Sequence, residues 1–348
     1  MRFSFVIPVY KTETYLPRCL DSLVAQSDGD FEAIVVDDCS PRTESMSRNG
    51  ATASEIVTRY DGRFKYVRQD WNRSTFQAKA TGAKAATGDY IVPLDSDDYV
   101  LPGLVAALKK EVAATFQPST FNLQPSSPDL IVYQMVKEYR GKTYPVKYNH
   151  PRCRCSGEEA LSKLFAGRIF MPVCGKAIRR EVFLKACEGL GVGPDFYLNF
   201  TDDFCWLLPI LFNTKTVSFI PYKGYRYWRH DDSMTKDVMA EERVRSLAEQ
   251  SRRSVETVIA YARRLGRNEQ TIAQIRAQLY PTIRWLMRDM GLSREVLEAA
   301  YGAELVDETL KWDAAAGGSL VKMVRHLVKY GVGATVREVV ARIRGVEI

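Results

Sequence analysis

Short unbroken apolar runs alternate along the first part of the chain with stretches whose apolar residues recur every three to four positions. Phe3 to Tyr10 is the first such run and suits a strand buried on both faces. Leu16, Cys19, Leu20 and Leu23 follow at helical spacing as far as Gln26, and Asp28-Gly29-Asp30 supplies the exit turn. Phe31 to Val36 predicts a second buried strand that stops abruptly at Asp37-Asp38-Cys39-Ser40-Pro41. Residues 52–60 read as a helix, Phe64 to Val67 as a short strand and residues 74–87 as a helix ended by Gly88. Tyr90 to Leu94 is a fourth strand, again ending in acids. This alternation predicts a parallel α/β sheet, in which ligand sites lie at the carboxyl ends of the strands.

The proline-rich stretch from Gln117 to Asp129 reads as a loop, Leu130 to Val136 as one strand, and the segment up to His150 as a hairpin or excursion. Residues 156–190 read as largely helical apart from a turn at Met171 to Lys176. Asn199 to Phe212 carries a helical apolar pattern that opens on an acidic pair, and Val217 to Pro221 and Gly224 to Trp228 read as late strands. From Ala240 onward helical periodicity dominates, which places a domain boundary near residues 236–242.

Charge changes this picture less than its total suggests. The formal net charge is +7 over 348 residues, but residues 1–240 contribute only +3, and residues 320–348 alone contribute +4. A nearly balanced first part argues against nucleic acid as a partner. The seven cysteines are scattered, with Cys153 and Cys155 the one close pair, so reduced thiols are expected rather than a disulfide framework or structural zinc. The leading apolar run is short, contains Pro8 and meets Lys11 and Glu13, so it reads as a strand and not a signal peptide. No run approaches the roughly 18–20 apolar residues needed to cross a bilayer, and a soluble or peripheral cytoplasmic protein is expected.

Three acidic groups carry the candidate chemistry. Asp37-Asp38 ends a buried strand, where it is either a helix cap or a ligand contact. Asp95-Ser96-Asp97-Asp98 crowds three mutually repelling carboxylates into four residues, a hard-oxygen cluster that suits Mg²⁺ or Mn²⁺. Thr201-Asp202-Asp203 opens an apolar helix, where acids also favour the helix dipole. No G-x-G-x-x-G follows a strand and no G-x-x-x-x-G-K-[ST] is present, which argues against a dinucleotide dehydrogenase or a P-loop nucleotidase.

Together and in this order, the segments SFVIPVYKTETYLPRCLDSLVAQS, FEAIVVDDCSP, AKATGAKAATGDYIVPLDSDDYVLPG, VCGKAIRREVF, FTDDFCWLLPIL and YRYWRHDDSMT resemble the inverting family 2 glycosyltransferases over about residues 3–236. The resemblance implies a GT-A fold, a Rossmann-like mixed sheet flanked by helices, over residues 1–238. Residues 1–100 would be its nucleotide-binding half and 101–238 its acceptor-side half, with a helical region over 239–348. It further implies a nucleotide-diphospho-sugar donor, a UDP-sugar by the family's habit, and a glycan or lipid-linked acceptor hydroxyl in cell-surface polysaccharide synthesis. The cofactor it implies is Mn²⁺ or Mg²⁺. By the same resemblance Pro8, Val9 and Tyr10 contact the base, with Asp37 beside them and Asp38 accepting its ring N–H. Asp95, Ser96 and Asp97 fall on the donor side, Asp97 or Asp98 takes the cation, and Asp203, with Asp202 beside it, is the catalytic base.

Departures accompany the match. The family's Glu-Asp is Asp202-Asp203 here, which leaves the choice of base between the two open. The usual Ala-Arg-Asn is Ala78-Lys79-Ala80, so Lys79 keeps a cation on the donor side without arginine's bidentate geometry. The resemblance implies that Arg229 and His230 lie over the diphosphate, with His230 as an extra metal ligand, and the residues themselves equally suit an alternating strand with exposed cations. Lys176 is structural or acceptor-binding. A catalytically inactive sugar-nucleotide-binding or scaffold protein of the same fold is the alternative function. The amphipathic residues 320–344 suit packing on the core, a membrane surface, or a partner such as a second copy.

Overall fold

A computed structural model describes residues 1–41, 50–114, 127–139, 141–145, 151–229 and 241–315. The chain forms two compact units, Met1–Arg229 and His230–Ile348. In the first unit the order begins β1 (Phe3–Val9), α1 (Leu16–Val24), β2 (Phe31–Asp37), α2 (Ala53–Val57), β3 (Phe64–Arg68), α3 (Ser74–Ala85) and β4 (Tyr90–Pro93). It continues with β5 (Tyr99–Val100), α4 (Leu104–Ala113), β6 (Leu130–Val132), β7 (Met135–Tyr139), β8 (Lys142–Pro145) and β9 (Cys153–Ser156). Then come α5 (Gly157–Phe165), β10 (Lys176–Arg179), α6 (Arg180–Leu190), α7 (Asp202–Asn213), β11 (Thr216–Phe219) and β12 (Tyr225–Arg229).

Every residue of β1 and β2 is buried, as continuous apolar runs require when both faces of a sheet are covered. The main sheet runs β3-β2-β1-β4-β10-β6-β11-β9. Strands β1 to β4 pair in parallel, so the ends of β1, β2 and β4 reach one edge together. On one face α1 and α4 cover Phe3, Phe5, Ile7, Val35 and Val92. On the other, α3 approaches β1 closely: a Cβ at Gly82 would lie 2.4 Å from a methyl of Val6. There the Trp206 ring stacks between Phe76, at 4.3 Å, and Phe183, at 4.7 Å. These large apolar contacts fix α3, α6 and α7 to one another.

The strands read from the alternation, β1 to β4, are parallel, and the sheet as a whole is the mixed one that the resemblance implies, because β10 runs antiparallel to both β4 and β6. Its four residues lie inside the stretch 156–190, whose turn at Met171 to Lys176 is the approach to this strand. The single strand expected over Leu130 to Val136 is two. The chain leaves the main sheet after Val132 and enters a second sheet, β5-β12-β7-β8, at Met135. The segment beyond is a β7–β8 hairpin. The late strands also divide, β11 to the main sheet and β12 to the small one.

The second unit contains α8 (Glu241–Arg264), α9 (Glu269–Ala277), α10 (Tyr280–Arg288), α11 (Arg294–Tyr301) and α12 (Ala303–Ala315). Val258, Ala262, Ile275, Ile283, Leu286, Leu297 and Val306 form its buried apolar side. Arg284 and Arg288 both pair with the buried carboxylate of Asp313, at 2.6 and 2.5 Å. The amphipathic residues 320–344 lie outside the described residues. Among those described, no helix is long and apolar enough to cross a membrane.

Candidate active site

Parallel pairing brings Tyr10, the Asp37-Asp38 turn and the Asp95–Asp98 turn to one edge of the sheet. Since β10 is antiparallel to β4, its first residue, Lys176, enters from that same edge. Around this edge the candidate carboxylates separate by the partners each has already acquired.

Asp37 and Asp38 are both buried and hold the loops together. Asp37 accepts from Tyr66 Oη at 2.7 Å, Arg68 Nη1 at 2.5 Å and the Ser40 amide at 2.7 Å. Asp38 accepts from Gln69 Nε2 at 2.8 Å, Asn72 Nδ2 at 3.0 Å, and the amides of Arg73 and Ser74 at 2.7 and 2.8 Å. Four bonds fill the usual acceptor capacity of a carboxylate, so Asp38 caps α3 from a distant turn. Burial pushes its carboxyl up to about 6 against those donors. The next two amides of α3 are satisfied from the other side, Thr75 by Asn199 Oδ1 at 2.7 Å and Phe76 by the Leu198 carbonyl at 3.3 Å. The base contact expected of Asp38 therefore requires one of its present donors to give way, and Asp37 is engaged as a loop anchor. Pro8 and Val9 close the same edge. Both lie within the sheet opposite Val36 and Asp37, and the Val9 carbonyl accepts the Asp38 amide. Of the three residues, Tyr10 alone leaves the sheet, with 41% of its surface exposed.

The Asp95–Asp98 turn divides in the same way. Asp98 is buried, and its oxygens accept from Tyr225 Oη at 2.6 Å and the Trp228 amide at 2.8 Å. It joins the turn to β12, and burial beside Asp97 and Asp95 holds its carboxyl well above the ordinary range. The carboxylate of Asp98, expected to share the cation with Asp97, is thus turned inward to Tyr225 and Trp228. Ser96 is buried too, 2.7 Å from Thr12 Oγ1. Asp95 Oδ2 accepts the Cys174 thiol at 3.0 Å, and Asp97 remains part-exposed.

At the start of α7 the two acids differ again. Asp202 Oδ2 is 2.7 Å from Lys79 Nζ in a buried ion pair. Burial pushes Asp202 up to about 6 against the pull of Lys79, while Asp202, Asp203 and Asp95 keep the Lys79 ammonium charged despite its burial. Asp203 is 31% exposed at its side chain. Its Oδ1 accepts the Val173 amide at 3.0 Å and lies 3.6 Å from Lys79 Nζ. Its Oδ2 accepts no hydrogen bond among the described residues. Lys79, expected on the donor side, thus binds the acid pair from within the protein.

Arg229 stands 5.1 Å from the Tyr139 ring on the small sheet, and His230 lies outside the described residues. Sequence reasoning missed Arg18, whose guanidinium lies 3.8 Å over Trp228 and donates to the Asp97 carbonyl at 2.6 Å. It also missed Val173, Cys174 and Tyr225 as contacts of the acids. Their segments carry part of the resemblance, but nothing local shows which acid each one meets, since each partner is 30 to 127 positions away.

No group of three His, Cys, Asp or Glu side chains among the described residues forms a preformed metal cluster. What the edge offers is a part-exposed Asp97 beside Asp95. That donor set fits a Mg²⁺- or Mn²⁺-type ion held by one or two carboxylates with diphosphate oxygens and water completing its shell.

The glycosyl transferase family 2 model matches residues 4–185, just over half of the chain. EpsJ of Bacillus subtilis, named an uncharacterized glycosyltransferase, is 27% identical over 237 residues, 67% of this chain and 62% of its own. ExoO of Rhizobium meliloti, a succinoglycan biosynthesis protein, is 33% identical over 127 residues, 36% of this chain and 34% of its own. The chain therefore spans less than two thirds of the length of these relatives. The crystal structure of residues 1–349 of S. aureus TarS in complex with UDP-GlcNAc matches with a TM-score of 0.62 at 18% identity, over 99% of this chain and 93% of that one. That likeness establishes the GT-A architecture, and with the family match over the sheet that carries the acidic turns, the chain belongs to glycosyl transferase family 2.

Proposed function

We propose that this protein is a metal-dependent inverting glycosyltransferase that moves a sugar from a UDP-sugar to a hydroxyl of a glycan or lipid-linked acceptor in cell-surface polysaccharide synthesis. The observation that carries the reading is Asp203: a part-exposed carboxylate, oriented by the Val173 amide and Lys79, with one oxygen open, beside the Asp95–Asp98 turn. The family match ends at Lys185, so the role of Asp203 rests on this geometry and on the resemblance of its segment. The part of ExoO in succinoglycan biosynthesis supports the pathway class, and the UDP-GlcNAc held by TarS supports the donor class.

In this mechanism Asp203 accepts the acceptor's hydroxyl proton through Oδ2 as that oxygen attacks the anomeric carbon opposite the diphosphate. Lys79 neutralises Asp202, so that the acid pair carries one uncompensated charge rather than two. Tyr10, exposed at the end of β1, offers a stacking face to the base. A Mn²⁺ or Mg²⁺ ion held by Asp97 would neutralise the negative charge developing on the leaving diphosphate. We place the reaction in the cytoplasm or at the inner membrane face, with residues 1–238 as its catalytic domain and the region after them as the docking or oligomer-forming part.

The test is a screen of nucleotide sugars for binding and turnover with Mn²⁺, with Mg²⁺ and with chelator. Saturable, metal-dependent consumption of a uridine donor is expected. Binding and turnover that are indifferent to chelator, or confined to another nucleotide, would remove the corresponding part of the proposal.

A further inference from the structure

Lys176 opens β10 with 1% of its surface exposed, yet it makes no ion pair among the described residues. Its Nζ donates to the Phe170 carbonyl at 2.9 Å and to the Pro172 carbonyl. Burying an ammonium against neutral carbonyls is costly, and an apolar side chain of similar length would fill the space without that cost. Burial draws the Lys176 amine down to about 8, against the charge of Asp203. What the arrangement secures is the turn that these two carbonyls belong to. From it the Val173 amide reaches Asp203 Oδ1 at 3.0 Å, and the Cys174 thiol reaches Asp95 Oδ2 at 3.0 Å. Gly175, at φ 74°, then bends the chain into β10, and its carbonyl accepts the Tyr133 amide at 3.0 Å. One turn thereby spans the open carboxylate of α7 and the acidic turn after β4, and Lys176 fastens it from below.

We infer that Lys176 is a positioning residue for transfer: by gripping the Phe170 and Pro172 carbonyls it holds the Val173 amide on Asp203 and the Cys174 thiol on Asp95. It touches neither donor nor acceptor. This inference rests on Asp203 being the base. A fully active Asp203→Asn variant would defeat that reading, whereas an inactive Asp203→Asn beside an unimpaired Lys176 variant would defeat this inference alone.

The test compares Lys176→Met, Val173→Pro and the double variant in the full chain. Circular dichroism and UDP titration establish folding and nucleotide binding. A positioning role predicts kcat for transfer reduced about 10²-fold in Lys176→Met, with donor KM and UDP affinity within about threefold of the parent. Val173→Pro removes the amide that orients Asp203, and the double variant should be no slower than the slower single one, since both act through one turn. Parent-like kcat, additive losses, or a fall in UDP affinity matching the fall in kcat would overturn the inference. If Lys176→Met loses its folded state, Lys176→Gln, which keeps N–H donors without charge, replaces it under the same criteria. Glutamine should recover at least tenfold over methionine where both fold, and equality of the two would count against the clamp.

Discussion

Two acidic pairs in this chain look alike in sequence and differ in what surrounds them. Asp37-Asp38 ends a strand and Asp202-Asp203 opens a helix, each beside an apolar run. In the first pair seven donors occupy the two carboxylates. In the second, Lys79 holds Asp202, one amide holds Asp203, and one oxygen stays open. A buried carboxylate whose acceptor sites are filled by protein groups is a structural bolt, and removing it strands its donors. A carboxylate oriented through one oxygen, with the other open, can take a proton. The Asp95–Asp98 turn repeats the division within a single loop, with Asp98 filled and Asp97 part-exposed.

Substitutions should separate the two kinds of carboxylate. The largest effect is expected for Asp203→Asn, which keeps the shape and removes the base. Transfer should fall by about 10³-fold with UDP affinity unchanged by calorimetry. Next is Lys79→Met, which leaves Asp202 buried without its cation and should cost about 3 kcal/mol in urea denaturation. Adding Asp202→Asn should recover most of that loss, because the stranded charge is then gone. A smaller effect, about 2 kcal/mol, is expected for Asp38→Asn, whose amide would face the Arg73 and Ser74 N–H groups. Its signature is lost stability, measured by thermal melting, together with loosening of the start of α3 seen as faster amide exchange.

The smallest effect is on pH dependence. Asp38 and Asp202 are each raised to about 6 in the folded state, against an ordinary 3.8. Between about pH 4 and 6 the folded protein retains protons that the unfolded chain has released, so these groups make stability fall as pH rises through that window. Each should contribute about 1 kcal/mol once solvent screening is allowed for. The slope should flatten in Asp38→Asn and in Asp202→Asn. A slope of opposite sign, or one unaltered by both substitutions, would contradict the burial argument for these pairs.

How much of this was legible follows from where each signal resides. The strands β1 and β2 were readable because short runs this rich in apolar residues have one economical use, burial on both faces. β10 was not, since Lys176-Ala177-Ile178-Arg179 is too short to show a period and its pairing with Ile91 and Ile131 is purely tertiary. The run from Leu130 to Val136 hid a crossing between sheets because both halves are equally apolar. The acids themselves were visible as clusters, and the resemblance placed them in order. Their donors were not visible as such: Gln69 and Asn72 lie in segments with no mark of function, Lys79 was singled out for the donor side, and only the fold shows which acid each one occupies. The last described helices were anticipated by their period alone, which says nothing of what they contact.

The most direct measurement is the structure of a ternary complex with a nucleoside diphosphate and an acceptor. The account predicts the acceptor hydroxyl within about 3 Å of Asp203 Oδ2, with Lys79 still on Asp202 and Asp37 still on Arg68. An acceptor oxygen bonded instead to Asp202, or Asp203 turned away to a protein donor, would contradict it.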